Sequence, residues 1–439
     1  MIAREPGVDR AALRVVVLAS LGGALEFYDF VVFGVFGLYI SAAFFPSGDP
    51  LTSQLSGLAL FGAGYFARPL GGLLFGRRGD RTGRRGSFML SLGIMSAATA
   101  AMGLVPGYAT GGLASTILFV ALRLVQGFCL GGELPGAITY AVEVVPRRHA
   151  TLACGVVFGC VSLGVLVATG VATALNQVLD GPALATWGWR IAFLIGGALG
   201  GVSWLLRRSL EESPAFLRMQ ARLRLDDAAG GARGPLAELL TAHRSRLLAG
   251  IAATGIVTTF NGLLFAHMNG YLVGVLHYAR PDVFAALYIA SAVTATSLVA
   301  ATWVGDRWTP LGVYRIGCVV LALAAIPAYG VIAAHAMPLG RMFFLIGLSA
   351  CFTHGTFALL LADLFPTRIR FSGVALSMNL GSVIFTAPSP FLAALLIAGT
   401  GWPPVPAVLI VGTALLALVA TFFLPRLSGQ LDDQRSASR

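Results

Sequence analysis

Apolar residues run in long stretches broken by short polar segments, without the strict alternation of half-buried strands. A helix that crosses a bilayer needs about 20 mostly apolar residues. Twelve segments meet that requirement: about 15–40, 53–76, 88–106, 113–143, 152–175, 188–206, 247–273, 284–304, 313–334, 340–364, 372–397 and 404–424. Small residues recur four apart at Gly72/Gly76, Gly127/Gly131, Gly132/Gly136 and Gly197/Gly201, a spacing that lets helix backbones approach closely. Pro388 and Pro390 remove backbone donors and predict a bend in the eleventh segment. The pattern predicts an all-α membrane protein of twelve transmembrane helices.

Composition decides the environment. A chain of 439 residues would ordinarily suggest two or three soluble domains. Here 57% of residues are hydrophobic and 11% charged, with mean hydropathy +0.82, whereas soluble proteins carry about 25% charged residues. All 30 cationic residues are arginine, giving a net charge of +11. They sit in the short segments between apolar runs, which reads as orientation signalling rather than nucleic-acid binding. With a cytoplasmic N-terminus, 25 of the 30 fall on the cytoplasmic side, and Arg190, Arg280 and Arg341 on the other. Arg68 and Arg123 lie within helices. This predicts an even number of spans with both termini inside. The first segment is too long for a signal-peptide core and is read as a retained helix. Cys129, Cys154, Cys160, Cys318 and Cys351 all fall in apolar runs without metal spacing, so they read as small packing residues, and neither metal nor cofactor is expected.

The longest polar stretch, 207–246, divides the chain into an N-terminal six-helix bundle (1–206) and a C-terminal bundle with a short tail (247–439). It contains Ala228-Ala229-Gly230-Gly231 and reads as a cytoplasmic linker. The halves echo each other: Gly79-Asp80-Arg81 follows the second segment and Gly305-Asp306-Arg307 the eighth. Likewise Glu143-x-x-Pro146-Arg147 follows the fourth, and Asp363-x-x-Pro366-x-Arg368 the tenth. Matched turns in two halves point to a duplicated transporter fold.

The segment Gly76-x-x-x-Asp80-Arg81-x-Gly83-Arg84-Arg85 resembles the loop between helices two and three of the major facilitator superfamily. Within it, several segments resemble the metabolite:proton symporters, the family of α-ketoglutarate, citrate, shikimate and proline/betaine permeases. They are Leu25-Glu26-Phe27-Tyr28-Asp29-Phe30, Arg68-Pro69-Leu70-Gly71-Gly72, Arg123-Leu124-Val125-Gln126-Gly127 with Gly131-Gly132-Glu133, Trp189-Arg190-Ile191-Ala192-Phe193, Leu210-Glu211-Glu212-Ser213-Pro214-Ala215-Phe216, and Asp363-Leu364-Phe365-Pro366-Thr367-Arg368-Ile369-Arg370. Gly305-Asp306-Arg307-Trp308-Thr309-Pro310 departs from the pattern by lacking Gly-Arg-Arg. The resemblance implies two pseudo-symmetric six-helix bundles in a bacterial inner membrane. It also implies a cytoplasmic gate formed by Gly76, Asp80, Arg81, Gly83, Arg84, Arg85 and Glu143.

Charges within spans cost about 2.5–3.5 kcal/mol on insertion scales and so mark cavities or partners. Glu26 and Asp29 share one face of the first helix, at a depth that Arg68 can match. With Glu133 they are the candidate proton-coupling groups, and the pattern leaves open which acid carries the proton. A static charge cluster holding helices together is the alternative. Arg123, Gln126, Leu130, Glu133, Ala137 and Tyr140 form one stripe of helix four. Arg123 is read as the substrate-anion contact, because a guanidinium pairs with a carboxylate in bidentate fashion, or else as a fixed partner of an acid on another helix. Glu133 is read either as a proton relay or as an interhelix hydrogen-bonding group. Tyr28, Gln126, Asn261 and Asn269 complete the candidate substrate contacts. His267 is turned away from Asn261 and reads as packing; a proton role for His267 or His354 stays open, and Asn379 is a further polar group in helix eleven.

The predicted function is import of a small organic anion, a mono-, di- or tricarboxylate, with H⁺ by alternating access, in a monomer whose partners are the solute, protons and lipid. Rivals are a proline- or betaine-like zwitterion, a siderophore, or export by the same fold. A GxxxxGK[ST] loop is absent, as is any nucleophile–base constellation, which argues against an ATP-driven pump and an enzyme.

Overall fold

The computed structural model describes residues 10–46, 50–213, 216–221 and 235–427. The described residues hold twelve long helical segments and no strand. They are α1 Arg10–Phe44, α2 Pro50–Thr82, α3 Arg84–Leu104, α4 Tyr108–Val144, α5 Ala150–Val178 and α6 Gly181–Arg207, then α7 Arg244–Val275, α8 Arg280–Arg307, α9 Pro310–Ala333, α10 Leu339–Asp363, α11 Arg370–Thr400 and α12 Ala407–Ala420. Each predicted span corresponds to one of them. Most helices overrun their apolar stretch, because intrahelical bonds continue where the chain leaves the hydrocarbon layer. The linker contains a short helix, Pro235–Ala242; Ala228–Gly231 lies outside the described residues.

Three spans carry π-helical turns, and α4 is kinked at Gly112, whose φ is +59. α6 opens with a π-helical turn at 184–188, and α7 has two such turns, at 262–267 and 271–275. α11 has one at 382–386, breaks at Ala387-Pro388 and resumes at Ser389, which is the bend that its prolines predict.

Within the first six helices, α1 packs on α4, α5 and α6, α2 on α4, and α3 on α4 and α6. Within the last six, α10 packs on α8 and α9, and α12 on α7 and α9. The two bundles meet where α2 and α4 lie against α11 and where α5 lies against α8 and α10. Glycine makes the α2–α4 contact possible: a Cβ on Gly71 would overlap the Phe128 carbonyl, and one on Gly131 the Arg68 carbonyl. Gly197 likewise lies against Ala100 of α3, but Gly201 faces open space, so the fourth small-residue pair is a contact at one member only. Outward-facing Phe66, Leu70, Leu74, Leu90 and Ile94 present apolar surface where lipid would lie.

Candidate functional site

A cavity of about 60 Å³ sits between the bundles, room for about four waters. Its described lining contains two charged side chains, Glu26 and Arg68, among the aromatic rings of Phe27, Phe30, Tyr65, Phe158 and Phe357 and the polar groups Thr254, Thr258, Asn261, Asn379, Ser382 and Thr386. Arg68 Nη1 lies 2.9 Å from Glu26 Oε1, and its guanidinium sits 4.5 Å from the centre of the Tyr65 ring. Glu26 Oε2 is buried and accepts no hydrogen bond from the protein. On one side of the cavity, aromatic edges join the bundles: Phe265 of α7 meets Phe27 and Phe30 of α1 at 6.5 and 6.1 Å between centroids. Elsewhere on its wall, Asn379 of α11 donates to the Gly131 carbonyl of α4 at 2.7 Å.

Of the α4 stripe only Leu130 lines this cavity, beside Leu134 and Pro135; the polar members Arg123, Gln126 and Glu133 are buried off its wall, within the N-terminal bundle. Arg123 is 4% exposed, stacks 4.2 Å over the Phe33 ring and donates to Gln126 Oε1 at 2.5 Å. Gln126 Nε2 in turn donates to Asp29 Oδ2 at 2.8 Å, as does Thr99 Oγ1. Gln126 thus links Arg123 to Asp29 of α1 inside the bundle, an arrangement of the fixed-partner kind that the sequence left open for Arg123; Gln126, expected as a substrate contact, does not line the cavity. Tyr28 is also buried away from the cavity; its hydroxyl donates to the Ala192 carbonyl at 2.8 Å and ties α1 to α6. Asn269 is half-buried and lines no part of the cavity. Glu133 pairs with Arg207 at 2.8 Å and accepts from Ser91 at 2.5 Å, the interhelix role rather than a place on the cavity wall. Arg207 was counted among the orientation signals, yet it is fully buried and also donates to the Leu18 and Ala19 carbonyls. His267 stacks on Tyr271 of its own helix, with ring centroids 5.4 Å apart.

The arginine-rich face is closed by an ionic cluster that crosses the bundles. Arg84 bonds Asp80 at 2.5 Å, Glu143 at 3.1 Å and, in the other half, the Thr367 carbonyl at 2.9 Å. Arg370 reaches Glu143 at 3.2 Å. Asp80 accepts from the backbone N–H groups of Phe371 and Ser372 at 3.3 and 2.9 Å, so it caps the start of α11. Gly76 lies beneath this turn, where a Cβ would come within 2.9 Å of Ser372 Cα. The second-half echo repeats the device. Asp306 accepts from Thr151 and Leu152 N–H at 2.9 and 3.0 Å and caps the start of α5. Arg147 and Asp363, drawn from the two matching turns, form a bidentate pair with each other.

Sequence reasoning quoted Glu212 and Ser213 within a family segment and gave them no role. Glu212 takes the N–H of Arg84 at 2.8 Å and of Arg85 at 3.2 Å, capping α3, whose preceding Gly83 has φ +112. Ser213 donates to Glu143 at 2.6 Å. Arg81 and Arg85 are exposed.

A family model described as Major Facilitator Superfamily matches residues 19–388. The chain belongs to the major facilitator superfamily. Its relatives place it among the metabolite:proton symporters. The proline/betaine transporter of Salmonella typhimurium is 32% identical over 94% of this chain and 83% of its own length. The shikimate transporter of Escherichia coli is 31% identical over 95% of both chains. The citrate-proton symporter of Klebsiella pneumoniae is 30% identical over 95% of this chain and 93% of its own. The solved structure of the proton:xylose symporter XylE bound to 6-bromo-6-deoxy-D-glucose shares the fold, with TM-score 0.76 and 18% identity over 94% of this chain and 95% of that one. The twelve helices are thus those of a multi-pass membrane protein of the major facilitator fold.

Proposed function

We propose that the chain imports a small zwitterionic carboxylate together with H⁺, through a bacterial inner membrane, by alternating access of bundles 1–206 and 247–439 about the central cavity. The observation that supports this most is the charge inventory of that cavity: one carboxylate and one guanidinium, paired at 2.9 Å. With Glu26 ionised the wall is neutral, and with Glu26 protonated it carries a single positive charge. A citrate-like trianion would need several cations and meets one. A zwitterion finds Arg68 for its carboxylate and the aromatic rings of Phe27 and Phe30 for its ammonium end. The carboxylate expected from the sequence is retained as one group of the solute, and its contact moves from Arg123 to Arg68. A monocarboxylate anion satisfies the same arithmetic when Glu26 is protonated, and is the second reading.

Coupling follows from competition for Arg68. Protonation of Glu26 releases the guanidinium to the solute carboxylate, and loss of the proton after the cavity changes sides restores the pair and expels the solute. The Arg84–Glu143–Arg370 cluster and the Asp80 and Asp306 caps would hold the outward-open and occluded forms, with the arginine-rich face and both termini in the cytoplasm. The path lies within one chain, so a monomer suffices.

Proteoliposome uptake of proline, betaine, shikimate and citrate under an imposed pH gradient tests the reading. Expected is uptake of a zwitterion, lost in Arg68→Gln, with no citrate accumulation. Citrate uptake equal to that of proline would overturn the substrate class, and efflux of preloaded solute driven by the imposed pH gradient, with no uptake, would establish export.

A further inference from the structure

Beside the central cavity lies a smaller one of about 30 Å³, walled by α1, α5, α7, α8 and α10. The two share Phe27, Phe158 and Asn261, while His354 lines only the smaller one. His354 Nδ1 lies 3.0 Å from the Ala350 carbonyl and 3.3 Å from Thr353 Oγ1. A carbonyl only accepts, and Thr353 already donates its hydroxyl proton to Ala350 at 3.1 Å. Both neighbours are therefore acceptors, and Nδ1 must carry the proton. A second proton on Nε2 would make the ring a cation. The side chains lining the smaller cavity include no acid, and its Ser162, Ser291 and Thr294 hydroxyls each donate to a carbonyl of their own helix. Nε2 is then a bare acceptor, held in place by Phe260, whose ring lies edge-on at 5.4 Å.

The Asn261 amide meets this nitrogen, with Oδ1 3.1 Å from Nε2. Two acceptors share no hydrogen bond, so the NH₂ group belongs at that position. A half-turn of the amide places it there without moving the heavy-atom outline. The carbonyl oxygen then faces away from His354, and Asn261 is part of the central wall. We propose that His354 is a positioning residue that turns the Asn261 carbonyl into the central cavity, so that the transporter selects solutes bearing an N–H or O–H donor. A solute lacking the donor leaves that oxygen buried without a partner, which is the costly half of hydrogen-bond discrimination. This narrows the zwitterion reading from ammonium groups in general to those that keep a proton.

Two measurements on the full chain test it. In nanodiscs with ¹⁵N-labelled histidine, the His354 ring, assigned by its disappearance in His354→Gln, is expected to show a protonated Nδ1 and a bare Nε2. A proton on Nε2 overturns the proposal whatever the substrate is. In proteoliposomes, proline is expected to be taken up about tenfold better than N,N-dimethylproline, which has the same ring and no N–H. His354→Leu is expected to bring that ratio to about twofold while uptake of the methylated solute persists. An undiminished ratio in the variant, or no preference in the wild type, overturns the role assigned to Asn261. If neither amino acid is carried, the zwitterion reading fails on its own. The ratio is then read on lactate against 2-methoxypropionate, an anion pair that differs in the same donor.

Discussion

Glu26 and Asp29 lie less than one turn apart on α1 and have different neighbours, so their isosteric variants should behave differently. Glu26→Gln imitates the protonated acid and leaves Arg68 free at every pH. The expected result is solute exchange with no accumulation, and an apparent Kd that no longer changes with pH. Asp29→Asn acts on the network with Thr99, Gln126 and Arg123. It is expected to lower the thermal midpoint while the folded fraction keeps the pH dependence of binding; a flat pH profile in Asp29→Asn would transfer the proton to that residue. Glu133→Gln leaves Arg207 without its counter-charge at a fully buried pair, a change expected to cost about 3–5 kcal/mol, read from unfolding in detergent. The candidate acids were legible in the sequence because a charge in an apolar run is conspicuous. Their assignments were less so. A stripe on a helix says which residues face together, not which neighbour they face, and α4 turns its stripe into its own bundle. Arg207 escaped notice because a span's last arginine reads the same whether it snorkels to water or folds back onto a carboxylate.

The spans themselves were readable almost turn by turn, since hydrocarbon thickness dictates the length of an apolar run and backbone bonding dictates a helix. The π-helical turns in α6, α7 and α11 were not, because an extra residue in a turn leaves the apolar pattern unbroken. Two of them lie beside the solute path: Asn261 directly precedes one, and Ser382 and Thr386 of the lining bound another. Close packing of α2 on α4 carries its own expectation. Gly131→Val would drive a branched side chain into the Arg68 carbonyl and the Gly72 amide. It is expected to abolish the monodisperse peak in size-exclusion chromatography, whereas Gly201→Val, facing open space, should leave it intact. Equal behaviour of the two would show that the α2–α4 approach is dispensable.

Across the whole molecule, the ionic cluster and the two aspartate caps on the arginine-rich face join the halves, the latch of the proposed cycle. Asp80→Asn combined with Asp306→Asn is expected to shift spin-label distances between the start of α5 and the end of α8, and between the end of α2 and the start of α11, toward longer values in the absence of solute. An unchanged distribution would remove the carboxylate caps from the latch. The two caps are also traded: the first half's aspartate finishes a helix of the second, and the second half's aspartate finishes a helix of the first. Neither half can swing open on that face without stripping a terminus in its partner and baring its own acid to solvent. Each bundle thereby holds a hostage from the other, so half-open intermediates would be penalised twice, and the two turns are expected to part in a single step without a relay between them.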